Sequence, residues 1–175
     1  DVPLVCIDPE DARDHDDAVF AEPDPDPNNR GGWRLLVAIA DVSWYVRPGS
    51  ALDRDARQRG NSVYFPDRVV PMLPEALSAD LCSLVEKELR ACVAVEVFLD
   101  AEGNKLRHKF MRGLMRSAAT LTYTQAQRAR DDQPDAVTEV LLKPVIEPLY
   151  GAYAALAKAR DRRQPLGTEL PERRV

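Results

Sequence analysis

The chain has 175 residues, a mass of 19.6 kDa and a formal net charge of −5, so one domain is the default expectation. Hydrophobic residues make up 45% of the sequence and charged residues 30%, which excludes a disordered chain. No apolar run approaches the roughly 20 residues of a membrane span, and the N-terminus lacks a signal-peptide pattern. The odd number of cysteines (Cys6, Cys82 and Cys92), without metal-ligand spacing, indicates reduced thiols in a cytoplasmic protein.

The negative charge is concentrated at one end of the sequence. Residues 1–30 contain ten acidic residues and two arginines, a balance of −8. The remaining 19 acidic and 22 basic residues give residues 31–175 a balance of +3. The net charge would argue against a nucleic-acid partner, but it describes neither region of the chain.

Strands are predicted for most of the first two thirds of the chain. Continuous apolar runs indicate strands that are buried on both faces, and alternation indicates strands with one buried face. The segment 89–99 places Ala91, Val93, Val95, Val97 and Leu99 on one face, and a turn over 100–104 leads into a return strand. The predicted strands cover residues 2–7, 18–20, 33–42, 62–65, 89–99 and 105–110.

Helices are predicted mainly for the last third. Earlier in the chain, Ser50 and Asp53 resemble a capping box for a helix over 51–59 that ends at Gly60, and a short helical piece lies near 78–84. Thr122 with Gln125 caps a helix that runs through residue 131. Asp135 caps a second helix, interrupted at Pro144 and Pro148, and a third covers about 149–163. The sequence therefore predicts an α/β (α+β) domain with a mixed, largely antiparallel sheet followed by helices.

Six acidic residues fall within residues 8–17, the segment that we call the aspartate loop. Their mutual repulsion favours a bound divalent cation, and carboxylate oxygens suit Mg²⁺ or Mn²⁺. An acidic, solvated surface loop is the alternative. The loop lacks the glycine of an EF-hand, and the chain has too few histidines for a zinc or His-Asp phosphohydrolase site. His15 is therefore interpreted as a bystander or as a donor to a ligand.

Carboxylate clusters that hold Mg²⁺ commonly serve phosphoryl transfer. The sequence has no glycine-rich phosphate loop, so no nucleotide cofactor is expected. A phosphodiester substrate needs no such loop, because the metal ions contact the scissile phosphate themselves.

Several separate motifs resemble one family. They are Ile7-Asp8-Pro9-Glu10-Asp11-Ala12-Arg13-Asp14-His15-Asp16-Asp17-Ala18, Val37-Ala38-Ile39-Ala40-Asp41-Val42, Ser62-Val63-Tyr64-Phe65-Pro66, Val70-Pro71-Met72-Leu73-Pro74 and Leu81-Cys82-Ser83-Leu84. Their order and spacing resemble the ribonuclease II and ribonuclease R (RNB) exoribonucleases, and the Glu-Asp-Ala-Arg-Asp core is closer to the ribonuclease R branch.

The resemblance implies processive 3′-to-5′ hydrolysis of single-stranded RNA to nucleoside 5′-monophosphates with Mg²⁺, for which Mn²⁺ could substitute. By position, Asp8, Asp14, Asp16 and Asp17 match the four active-site aspartates of the family. Asp8 and Asp17 would ligate metal, and Asp14 and Asp16 would complete the metal and water network. Tyr64 matches the tyrosine that stacks on the 3′-terminal base; a core aromatic is the alternative.

The resemblance also implies that residues 1–175 are the N-terminal portion of an RNB catalytic domain. The domain of the family continues further and is flanked by cold-shock and S1 domains, so the chain alone is expected to be incomplete. His15 departs from the apolar residue usual at its position. A catalytically incomplete RNA-binding or scaffold fragment, and a structural metal-binding loop, are the competing functions.

Basic residues could supply the phosphate contacts that RNA affinity requires. Lys105, Arg107 and Lys109, which we call the basic strip, share one face of the return strand. A solvated outer strand is the alternative. Arg57 precedes Tyr64 on the helix over 51–59, where favourable charge at a helix C-terminus explains it equally well. RNA is thus the expected partner; no membrane association is expected, and protein partners stay unspecified.

Overall fold

The computed structural model describes residues 2–65 and 67–165. The strands in this part of the chain are β1 (Val5–Asp8), β2 (Asp17–Pro23), β3 (Trp33–Ala40), β4 (Val63–Tyr64), β5 (Val69–Val70), β6 (Leu89–Leu99), β7 (Lys105–Arg116) and β8 (Ala119–Thr122). The α-helices are α1 (Val42–Tyr45), α2 (Ala51–Arg59), α3 (Tyr123–Arg130), α4 (Ala136–Leu141) and α5 (Glu147–Arg162), with π-helical segments at Leu77–Leu81 and Leu142–Ile146.

One six-stranded sheet organises the molecule, in the order β7-β6-β3-β2-β1-β8. Neighbouring strands are antiparallel except for β1 and β8, which are parallel. The sheet is followed by the helices α3 to α5. The predicted α/β (α+β) class, with a mixed and largely antiparallel sheet, is confirmed.

The strand register defines two opposite ends of the sheet. At the Asp8 end, Asp17 of β2 is paired with Ile39 of β3, and that row continues to Arg112 of β7. At the other end, which we call the Lys105 end, the row runs from Pro23 through Trp33 and Leu99 to Lys105. Asp17 and Pro23 are six positions apart on β2, so the two rows are about 20 Å apart along the strands.

Each face of the sheet packs against its own apolar core. On one face, Cys6, Phe20 and Leu36 pack with Leu77 and Leu84 of the segment before β6. On the other face, residues of β1 and β8 pack against α3 and the second π-helical segment. The buried residues of this core are Val5, Ala119, Leu121, Ala129, Val145 and Ile146. Both faces of β1 are therefore buried, as its continuous apolar run predicts.

Strand β6 has the predicted length but a different buried face. The side chains of Cys92 and Ala94 are buried, whereas Ala91, Val93, Val95 and Val97 are half-buried. The helix α5 packs mainly against β2, two strands away, which leaves the second face of β6 partly open. Leu99, the last residue of the predicted face, is buried.

Helix α2 spans the predicted residues, and half of its predicted capping box forms. The Ser50 hydroxyl accepts the N–H of Asp53 at 3.2 Å, and Gly60 follows with φ +80°. The Asp53 carboxylate instead accepts the N–H of Gly49. The next predicted strand shortens to β4, which pairs only with β5 in a small hairpin, and Pro66 at its end lies outside the described residues.

The predicted interruptions at Pro144 and Pro148 do not break the last helix. Helix α4, the π-helical segment and α5 run on from Ala136 to Arg162, because Pro148 lies in the first turn of α5, where its missing N–H is not needed. By length and composition alone this helix could cross a membrane. The buried residues of its C-terminal half are Ala152, Ala155 and Ala159, and α5 packs against β2, as a helix of a globular domain does.

Candidate active site

The aspartate loop connects two neighbouring strand ends. Asp8 is the last residue of β1, and Asp17 is the first residue of β2. Because β1 and β2 are antiparallel neighbours, both residues lie at the same end of the sheet. The backbone carbonyl of Asp16 accepts the N–H of Ala40, which ties the loop to the end of β3. The fold thus brings the predicted aspartates to the Asp8 end of the sheet.

His15 contacts one of these aspartates directly. Its Nδ1 lies 2.7 Å from Oδ2 of Asp8, and both side chains are largely buried. The contact supports the interpretation of His15 as a donor to a ligand rather than as a bystander. The histidine thereby orients the Asp8 carboxylate and leaves its second oxygen without this contact.

The carboxylates destabilise one another's charged forms. Partial desolvation raises the pKa of Asp16, and the negative charges of Asp14, Asp17 and Asp8 raise it further. Partial desolvation also raises the pKa of Asp17, with a second contribution from the charge of Asp8. A cation bound here would relieve this repulsion.

The donor set fits a hard divalent cation by its chemistry. Four aspartates supply only oxygen ligands, which Mg²⁺ and Mn²⁺ prefer. Among residues 2–65 and 67–165, however, no three His, Cys, Asp or Glu side chains are already gathered in the geometry of a metal site.

Asp41 is a buried acid beside this site whose contacts the sequence reasoning missed. It follows β3, and it accepts hydrogen bonds from the Ser43 hydroxyl at 2.6 Å and from Nε of Arg112 at 2.8 Å. The hydroxyl and the guanidinium hold the pKa of Asp41 below its usual value, despite desolvation. Arg112 is in register with Asp17 across the sheet, through Val93 and Ile39. This ion pair therefore lies at the Asp8 end of the sheet, on the side of β7.

A small apolar cavity of about 210 Å³ lies behind β1 at this end. It opens between Ile7, which precedes Asp8, and Tyr123, whose side chain is exposed. Tyr123 follows Thr122, the register partner of Asp8 in β8. The cavity walls come from β1, α3 and α5, so no local sequence pattern could reveal it.

Tyr64 and Arg57 lie outside the main sheet. Tyr64 is 69% exposed on β4, which excludes the alternative of a core aromatic. Arg57, on α2, has an exposed side chain whose Nε lies 3.1 Å from Oδ1 of Asp53. This i,i+4 ion pair gives Arg57 a role within its helix, so an RNA contact by Arg57 stays a prediction.

The basic strip lies on the edge strand β7 and runs from the Lys105 end to the middle of the sheet, where Lys109 pairs with Glu96. All three side chains are exposed on the edge strand β7, and the guanidinium of Arg107 lies 3.6 Å from the ring centroid of Phe98. The register shift pairs Lys105 with Leu99 and Arg107 with the neighbouring Phe98, so Lys105 lies on the opposite face of the sheet from Arg107 and Lys109. The prediction of one shared basic face is therefore wrong for Lys105. The basic strip is too far from the aspartate loop to contact the same phosphate.

Comparisons with known proteins give the same family for the whole sequence. The RNB domain matches residues 1–175. Ribonuclease R of Escherichia coli is 47% identical over 173 residues, which are 98% of this chain but 21% of that protein. The chain therefore spans about a fifth of the length of this relative.

Two structures of Mycoplasma genitalium RNase R share the fold. One, in complex with double-stranded RNA, has a TM-score of 0.85 and 29% identity over 93% of this chain and 28% of its own. The other, with ribose methylated single-stranded RNA, has a TM-score of 0.82 and 32% identity over 94% of this chain and 24% of its own. Because the RNB match covers its full length, the chain belongs to the RNB domain family and represents the N-terminal part of that domain.

Proposed function

We propose that the protein is a Mg²⁺-dependent, hydrolytic 3′-to-5′ exoribonuclease that degrades single-stranded RNA processively to nucleoside 5′-monophosphates. One observation carries this proposal. The four aspartates that match the active-site positions of the family lie around adjacent ends of β1 and β2, where desolvation and neighbouring carboxylates raise the pKa of Asp16 and Asp17. Membership of an exoribonuclease family supports it.

The aspartates have distinct tasks in this proposal. Asp8 and Asp17 would hold the metal from the two strand ends, and Asp14 and Asp16 would complete the network of metal and water contacts. His15 would keep the Asp8 carboxylate oriented through its 2.7 Å contact. When bound, Mg²⁺ supplies a Lewis acid that neutralises phosphate charge and acidifies water, and Mn²⁺ could replace it.

Tyr64 would hold the 3′-terminal nucleotide by stacking on its base. Its ring is 69% exposed, so it is available to a ligand. Stacking of a base on an aromatic side chain contributes about 1–3 kcal/mol and tolerates any base. Such a contact would position the terminal phosphodiester bond without selecting a sequence.

RNA is the proposed partner, as in the Mycoplasma genitalium relatives whose structures contain RNA. The basic strip would neutralise phosphates of the strand away from the scissile bond. Its position on the edge strand β7, three strands from β2, suits a contact with more distant nucleotides rather than with the reacting one.

A catalytically incomplete RNA-binding fragment is the second candidate. One observation favours it: the chain spans about a fifth of the E. coli relative. This candidate predicts RNA binding without release of mononucleotides by the 175-residue chain.

Asp17→Asn tests the proposal in the protein as encoded by its full reading frame. We expect Mg²⁺-dependent release of mononucleotides from single-stranded RNA to fall more than about 100-fold. This exceeds the loss typical of changing a residue that contacts only a metal ligand. RNA affinity should be largely unchanged. Glu10→Gln, an exposed acid of the same loop, should retain activity. Retained turnover in Asp17→Asn would contradict the proposed mechanism. Turnover by the full protein but not by the 175-residue chain would identify the chain as the incomplete fragment.

A further inference from the structure

The aspartate loop rests on a fully buried serine that comes from a distant part of the sequence. Ser83 has no exposed surface, and it lies between the π-helical segment Leu77–Leu81 and β6. Its hydroxyl accepts the N–H of His15 at 3.0 Å and donates to the carbonyl of Arg13 at 3.2 Å. A hydroxyl group can make both bonds because it has one donor and two acceptor sites.

These two bonds fasten the backbone on both sides of Asp14. The Arg13 carbonyl belongs to the peptide that enters Asp14, and the His15 N–H belongs to the peptide that leaves it. The next carbonyl, that of His15, accepts the N–H of Leu84 at 2.8 Å. Residues 83 and 84 thus hold consecutive peptides of the loop that leads to Asp16.

The same contacts reach Asp8 through His15. The backbone of His15 is held on its N–H by Ser83 and on its carbonyl by Leu84. Its imidazole, 2.7 Å from Asp8, is therefore carried on a fixed backbone. Three of the four aspartates thereby depend on one short segment: Asp14 and Asp16 through their neighbouring peptides, and Asp8 through the imidazole.

Ser83 is itself held in place by β1 and β6. The side chain of Arg90 donates from Nε to the Ser83 carbonyl at 3.0 Å, and it is 11% exposed. The thiol of Cys6 donates to the carbonyl of Leu84 at 3.4 Å. The support is therefore anchored to the sheet rather than to the loop that it holds.

A second buried serine shows what an ordinary structural hydroxyl does in this core. Ser117 is 1% exposed and donates to the carbonyl of Ala119 at 2.9 Å, two residues further along its own segment. Its hydroxyl also lies 3.8 Å from the thiol of Cys6, which is in β1. Neither Ser117 nor Ala119 belongs to the aspartate loop. Ser83 differs because both of its partners are peptide groups of that loop, where charge repulsion works against gathering the carboxylates.

We propose that Ser83 is a positioning residue for the metal site. Its hydroxyl holds the peptides around Asp14 and, through His15, the Asp8 carboxylate, in the arrangement from which the aspartates bind a divalent cation. This inference rests on the proposed function, because it needs that cation. It adds a residue 66 positions beyond the aspartate loop to the machinery of the site.

The test compares Ser83→Ala with Ser117→Ala in the full-length protein. Each variant loses the hydrogen bonds of one buried hydroxyl, so both should lower the thermal midpoint by a similar amount. We expect Mn²⁺, measured by calorimetric titration without RNA, to bind about tenfold more weakly to Ser83→Ala and unchanged to Ser117→Ala. With Mg²⁺ and RNA, kcat of Ser83→Ala should fall while KM for RNA stays constant. Ser83→Thr, which keeps the hydroxyl, should recover most of the Mn²⁺ affinity.

Hydrogen exchange of the metal-free wild-type protein supplies a measurement that needs no variant. We expect the amide of His15 to exchange much more slowly than that of Asp11 in the exposed part of the same loop. Equal loss of Mn²⁺ affinity in both alanine variants, or fast exchange at His15, would overturn the inference. Absence of Mn²⁺ binding to a wild-type protein with a protected His15 amide would instead overturn the proposed function, and the metal role of Ser83 with it.

Discussion

The aspartate loop at the Asp8 end and the basic strip on β7 hold their charged side chains in different ways. At the Asp8 end, acidic side chains sit on a loop that β3 and the segment before β6 hold by backbone hydrogen bonds. The side chains of the basic strip, on the edge strand β7, are exposed to solvent. The register places the Asp8 end and the Lys105 end of the sheet about 20 Å apart along the strands.

The two groups of charged side chains differ in their solvation. The side chains of the basic strip are exposed to solvent, and the guanidinium of Arg107 packs on the ring of Phe98. The aspartates are partly desolvated and close together, which raises the pKa of Asp16 and Asp17. In the proposed function, a bound cation would relieve this repulsion.

The largest effect on this comparison is expected from removing the basic strip. The combined variant Lys105→Gln, Arg107→Gln, Lys109→Gln should bind single-stranded RNA about 10- to 100-fold more weakly at low salt. The slope of log affinity against log salt should fall by about 2, because each lost phosphate contact contributes about 0.7. Its kcat at saturating RNA should be unchanged. Filter binding over a salt series, with turnover measured in parallel, checks both expectations.

A matched control for that variant uses three exposed cations of the helical layer. Arg128→Gln, Lys143→Gln and Arg160→Gln remove the same charge from α3, the second π-helical segment and α5. If this control lost as much affinity as the basic-strip variant, the effect would come from net charge, and the strip would have no specific role.

A smaller effect is expected at Tyr64, which belongs to neither end of the sheet. Tyr64→Ala should raise KM for short RNA about tenfold and lengthen the final product, because a stacked base contributes about 1–3 kcal/mol. Tyr64→Phe keeps the ring and should behave as wild type. Tyr153→Ala removes a similarly exposed ring from α5 and serves as the control. An end product of unchanged length would remove Tyr64 from the 3′ contact; gel analysis of limit digests provides the measurement.

The smallest effect is expected in the stability of the metal-free protein. The pKa of Asp17 is raised in the fold, so its ionised form costs stability, and Asp17→Asn should raise the thermal midpoint at neutral pH. The gain should disappear as the pH falls below the ordinary aspartate pKa, because Asp17 is then protonated in the folded and unfolded states. Added Mg²⁺ should reverse the order by stabilising only the wild type.

Differential scanning calorimetry over a pH series checks this expectation, with Asp11→Asn as an exposed control in the same loop. A midpoint for Asp17→Asn that stays below that of the wild type without metal would show that no repulsion is relieved at the Asp8 end.

Much of the local structure could be predicted from the sequence because its causes are local. The capping residues Ser50, Thr122 and Asp135 each precede the helix that they were predicted to start. The apolar run before Asp8 predicted a strand buried on both faces, and the structure confirms it. The continuation of the helix past Pro144 was missed, because the π-helical segment accommodates the proline within a longer packed helix.

The sequence by itself determined the strand pattern, the family and the concentration of aspartates at the end of β1, because periodicity and short motifs are properties of neighbouring residues. Only the tertiary structure decided which residues support those aspartates. Arg112 reaches Asp41 across 71 residues, and Ser83 reaches Arg13 across 70, because strand order and register bring distant segments together. The tertiary structure likewise assigned the basic strip to an edge of the sheet, because β7 pairs with β6 and lies three strands from β2.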